Sequence, residues 1–144
     1  MKLSPFAPLA LGSVLVGCAM SCTLMRPSPA ADVVAFAEVR AVLESNCVHC
    51  HGADHFQEMP AITSTKALAR LIGPGKWIVP GKPEISPFLQ VVSFPEAVWG
   101  AMPPTGHMLS KVEVRTLHDW IEAGATMPAA NFRFKPRGEL PLAR

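Results

Sequence analysis

The chain has 144 residues, enough for one domain, and a formal charge of only +2, which gives no basic surface for nucleic acid. Charged residues are sparse at 17%, Pro is abundant at 15 residues and Tyr is absent, so short helices joined by irregular loops are expected around a limited apolar core. No residue set resembles a catalytic base and nucleophile pair, and an independent enzyme is not expected.

Residues 1–30 read as a targeting segment and linker. Lys2 gives a minimal positive start, and no charge follows from Leu3 to Met25. Pro5 and Pro8 interrupt the apolar stretch, which suits an export signal better than a stable spanning helix. Leu15-Val16-Gly17-Cys18 resembles the lipobox of bacterial lipoproteins. By that resemblance Cys18 carries the lipid, and several acyl chains would hold the protein at a membrane where one would be marginal. Two alternatives stand beside it. Cleavage after Ser28-Pro29-Ala30 would release a soluble exported protein, and Leu3 to Met25 could stay as an uncleaved anchor. All three place the domain outside the cytoplasm, on the periplasmic side of a bacterial membrane. Cys22 has no evident partner.

The expected domain spans residues 31–128. Asp32 can cap a helix to about Ser45, with Val33, Phe36, Ala37, Val39, Ala41, Val42 and Leu43 on one broad face. Cys47-Val48-His49-Cys50-His51 follows at once, and Gly52 closes it. This is the C-x-x-C-H pattern of a covalently attached c-type haem. Each thiol can add to one vinyl group of the porphyrin, and the adjacent His51 then lies under the iron as proximal ligand. A zinc site using Cys47, Cys50 and the nearby His49, His51 or His55 is a rival, though no second Cys pair follows. A thioredoxin-like motif would need a β-α-β setting that the pattern does not offer. A plain disulfide is the simplest alternative.

Residues 53–63 look irregular. Ser64 can cap a short helix from Thr65 to Leu71, ended by Gly73-Pro74-Gly75. Val79-Pro80-Gly81-Lys82-Pro83 reads as a rigid turn, and Ser86-Pro87 starts a helix to about Val92. A loop from Phe94 to Gly106 carries Met102-Pro103-Pro104. Ser110-Lys111-Val112-Glu113 is a capping box opening the clearest helix, which ends near Ala123 with Gly124 beyond it. Val114, Leu117, Trp120 and Ile121 form its apolar stripe, opposite Lys111, Arg115, His118 and Glu122. Trp120 is expected to pack near Phe36. Residues 129–144 form a Pro-rich, weakly basic tail, expected to be a loose extension.

Taken together, these pieces resemble class I cytochromes c, most closely the short bacterial type common in planctomycete-like multidomain proteins. The resemblance rests on Asn46 to Gly52, Val79 to Ser86, Met102 to Gly106, and Leu109-Ser110 through Glu113 to Trp120-Ile121-Glu122-Ala123-Gly124-Ala125, in the family's order. It covers roughly residues 33–127. It implies an all-α fold with crossed N- and C-terminal helices and one haem c in the cleft between them. With no Tyr present, propionate contacts would fall to Trp77, Trp99 or backbone groups. The variable slot between the cysteines is His49, expected to point outwards.

Met102 is the expected sixth ligand. Enough chain separates it from His51 to wrap over the haem, and Pro103 and Pro104 stiffen the loop presenting its thioether. Any Met can also be a flexible core filler. Met108 and His107 in the same loop are rivals, whereas Met59 is too close to His51 and Met127 lies beyond the last helix. His55 and His118 read as solvated. The expected function is an exported monohaem electron carrier that docks weakly with redox partner proteins. A gas-binding or sensing haem protein, a haem subunit of a larger oxidoreductase, and an exported zinc or disulfide protein are the alternatives.

Overall fold

The computed structural model describes residues 29–53, 58–95 and 98–139. The described residues form five α-helices in chain order: α1 Pro29–Asn46, α2 Val48–His51, α3 Thr65–Ala69, α4 Pro87–Ser93 and α5 Lys111–Glu122, with a 3-10 turn at Pro83–Ile85 before α4. Among the described residues there is no strand, only isolated bridges pairing Ser64 with Arg133 and Ile72 with Ile78. The all-helical expectation holds. Residues 1–28, with Cys18 and Cys22, and His55 lie outside the described residues, so the expected targeting segment and lipidation are not seen in them.

Helix α1 starts at Pro29, not after Asp32. A proline in the first turn gives up only an N–H that has no helical partner, so the helix extends back to it. The expected domain boundary at residue 31 therefore falls inside α1. Its buried stripe is Phe36, Val39, Val42 and Leu43, narrower than the sequence face, since Ala37 is exposed. Leu117, Trp120 and Ile121 of α5 are buried with it. Phe36 and Trp120 meet with ring centroids 6.0 Å apart, tilted by 59°. The Trp120 indole N–H donates to the Thr126 carbonyl at 3.0 Å. Burying each such aliphatic or Phe side chain is worth about 1.5–3 kcal/mol, so the α1–α5 contact is a substantial part of the core.

The stops and starts follow local chemistry. Ser110 Oγ accepts from the Glu113 N–H at 3.2 Å while Glu113 Oε2 accepts from the Ser110 N–H at 2.8 Å, closing the capping box. Gly124 at φ +99° ends α5. Ser64 caps α3 through Ala67, but α3 ends at Ala69, because Arg70 and Leu71 switch to tighter bonds with Ala67 and Leu68. Ser86 precedes α4 as expected, yet its hydroxyl does not cap the helix. It accepts from the Val79 N–H at 2.9 Å and donates to the Lys82 carbonyl at 2.9 Å, locking the Val79–Pro83 turn.

The tail departs from the expected loose extension as far as Arg137. Phe134 is 6% exposed and joins the core beside Phe36, with centroids 6.3 Å apart. Backbone bonds from Thr65 to Phe132 and from Phe134 to Thr63 tie the tail to the start of α3. Glu44, only 4% exposed, receives Arg40 at 2.9 Å, Arg137 at 3.1 Å and the Lys135 N–H at 3.3 Å. Phe134 supplies the apolar anchor, and the Glu44 carboxylate on α1 supplies the polar one. Residues 129–137 are thus part of the packed body.

Candidate functional site

The end of α1 sets up the motif. The Cys47 N–H still bonds the Leu43 carbonyl at 2.9 Å, and the chain then turns directly into α2, where the His51 N–H bonds the Cys47 carbonyl at 2.9 Å. One helical turn brings Cys47, Cys50 and His51 to the same side, since positions i, i+3 and i+4 are neighbours. Gly52 must follow: a Cβ there would collide with the Val48 carbonyl. All three side chains line one cavity of about 350 Å³, a size usual for a cofactor site. Its other walls are mostly apolar, from Leu71, Phe88, Val91, Val92 and Leu109.

Both thiols are free. Burial, reinforced by the charges of Glu113 and Cys50, pushes the Cys47 thiol up to about 12. A thioredoxin-like cysteine needs the opposite, a depressed thiol in a polar, positive setting. No β-α-β unit surrounds the motif among the described residues.

His51 is oriented by the chain that follows it. Its Nδ1 lies 2.8 Å from the Pro60 carbonyl, and its own carbonyl accepts from the Ile62 N–H at 2.7 Å. An N–H at Nδ1 donates to Pro60, which fixes the tautomer and leaves Nε2 as the free donor atom for a metal. Met59 lines the cavity too, but Pro60 next to it is tied to the His51 ring. Sequence reasoning missed Pro60 and Asn46; the only signal was their adjacency to Met59 and Cys47.

Across the chain, Met102, Pro103 and Pro104 line the same cavity. The Met102 N–H bonds the Val91 carbonyl at 2.9 Å, which fastens the loop to α4. Met102 is partly buried against the core. The rivals lie elsewhere. Met108 is 49% exposed and lines a separate, open cavity with Arg115, His118 and Asp119. His107 and Met127 line neither. Trp77 lines the His51 cavity; Trp99, 97% exposed, does not.

His49 differs from its outward-pointing expectation: it is half-buried, and its Nε2 is shielded without a hydrogen-bond partner among the described residues, as is Thr105 Oγ1. His118 is partly exposed beside Asp119, at 3.0 Å. With Glu122 they bring ligand-type atoms within 4.8 Å of one another on α5, a solvated arrangement common without any ion.

The donor set suits a covalently held haem. Two thiols, an imidazole with only Nε2 free and a thioether converge on one apolar cavity, where a porphyrin face is favoured over water. No family model, curated protein or solved structure matches this chain.

Proposed function

We propose that the chain is an exported monohaem c-type cytochrome with the cytochrome c fold, working in electron transfer. Cys47 and Cys50 would hold haem c through thioethers, His51 would ligate the iron through Nε2, and Met102 would be the sixth ligand. The observation that carries this reading is the convergence of the C-x-x-C-H residues and Met102 on one apolar cavity, with His51 Nδ1 engaged by Pro60.

When bound, haem supplies a one-electron couple at its iron. The chain's own residues do the rest. Pro60 holds the imidazole in one orientation, and Val91 holds the Met102 loop. Such pinned ligands need little rearrangement between oxidation states. Leu71, Phe88 and Leu109 give the cavity apolar walls. A soft sulfur ligand in apolar surroundings favours the reduced state.

In this reading Cys18 carries a lipid, the domain works on the periplasmic side, and its partners are redox proteins that dock briefly. Among the described residues no helix is long and apolar enough to cross a membrane. Intact-protein mass after expression with a cytochrome c maturation system tests the attachment. The mass of one haem should be added, and Cys47→Ala with Cys50→Ala should abolish it; an unmodified wild-type chain would overturn the reading.

A further inference from the structure

The C-x-x-C-H motif joins the end of α1, and the residue at that joint is Asn46. It is 7% exposed and lines the cavity. Its side-chain amide donates to the Val42 carbonyl at 3.1 Å and to Glu113 Oε1 at 2.8 Å. The other carboxylate oxygen of Glu113 is held by the Ser110 N–H at 2.8 Å and by the Ser110 hydroxyl at 2.7 Å. A capping box alone needs only the Ser110 pair. The added bond to Asn46 pins this carboxylate beside the wall that carries Cys47.

The carboxylate is kept ionised there. Burial raises its affinity for a proton, but the Ser110 and Asn46 hydrogen bonds and the nearby His107 outweigh it and hold it below the ordinary Glu range. Glu113 does not itself line the cavity; Asn46, which does and which precedes Cys47, ties the Glu113 carboxylate to that wall at 2.8 Å. Glu58, which also lines the cavity, is exposed, so water screens it more strongly.

We propose that Glu113, held by Asn46, is a positioning residue that sets the reduction potential of the group attached at Cys47. A fixed negative charge beside an apolar cavity stabilises ferric iron, which carries one more positive charge than ferrous. It therefore lowers the potential. The helix cap and the electrostatic element are the same side chain, so the charge keeps its place as long as α5 is folded.

The inference rests on the haem reading, and its test separates the two. Midpoint potentials are measured by spectroelectrochemistry on the matured full chain at neutral pH. Glu113→Gln removes the charge and is expected to raise the potential. Glu122→Gln makes the same charge change about 13 Å further along α5, at 1.5 Å of rise per residue, and is expected to leave it unmoved. Ser110→Ala weakens the cap, lowering the melting temperature without raising the potential by the Glu113→Gln amount. Should Glu113→Gln not fold, Asn46→Ala decides: it keeps the Ser110 bonds to Oε2, releases Oε1 from the cavity wall and should raise the potential by less. Equal potentials in wild type and these site variants, with haem present, overturn the inference alone. A wild-type protein that takes up no haem overturns both.

Discussion

A histidine whose Nδ1 is taken by a backbone carbonyl has one nitrogen left to bind with. His51 is in that position because Pro60 faces it at 2.8 Å. At the residue scale this bond makes the imidazole a directed donor. Met102 shares a cavity with His51 and Met108 does not, which is why the proposal gives the second ligand role to Met102. Met102→Ala should keep the covalent haem but open the sixth site, so that the reduced protein binds carbon monoxide. Met108→Ala should leave both the spectrum and carbon monoxide insensitivity unchanged, and the reverse pattern would transfer the ligand role to Met108. That Cys47, Cys50, His51 and Met102 belong to one place was legible, because residue type and spacing group them, and they do line one cavity. Pro60 and Asn46 were not, because a carbonyl acceptor can belong to any residue, and the Asn46–Glu113 contact depends on how α1 meets α5.

At the scale of elements, α5 combines a strong start with a buried stripe. Replacing Ser110 by Ala removes the oxygen that receives the Glu113 N–H. Chemical denaturation should show a loss of about 0.5–2 kcal/mol, the usual cost of a lost N-cap. Glu113 also makes stability depend on acid. Its carboxyl is held below the ordinary value of 4.5 in the folded chain, so unfolding takes up protons in that range. The stabilisation is complete above the unfolded value and fades as pH falls through the lower folded one. Melting temperature against pH should therefore drop less steeply in Glu113→Gln than in wild type below about pH 4.5. Parallel acid limbs would contradict this. The starts of α3 and α5 were readable because Ser64, Ser110 and Glu113 act within a few residues. The start of α1 was not, since Asp32 and Pro29 are both acceptable openings on local chemistry alone.

For the whole molecule, the core joins α1 to α5, and the tail packs against α1. Phe134 buries against Phe36 while Arg137 and Lys135 reach Glu44. Phe134→Ala should cost about 3–5 kcal/mol by chemical denaturation, the range for removing a buried aromatic. A change within a few tenths of a kcal/mol would mean the tail is not part of the cooperative unit. A Pro-rich, weakly basic segment reads as a loose extension when composition is all that is weighed, and only its long-range pairing with Thr63, Thr65 and Glu44 makes it structural. The helical class was legible from capping and break signals; the cavity came from the arrangement of Trp77, Phe88, Val91 and Leu109, whose apolar character alone does not say that they face one space. That cavity holds the central claim. The most direct measurement is the visible spectrum of the matured full chain, oxidised, reduced and reduced under carbon monoxide, repeated after acid–acetone extraction. A haem that resists extraction, sharp reduced α and β bands, a far-red ferric sulfur band and no carbon monoxide shift are predicted. A chain that shows no Soret absorption after maturation would contradict the account at its root.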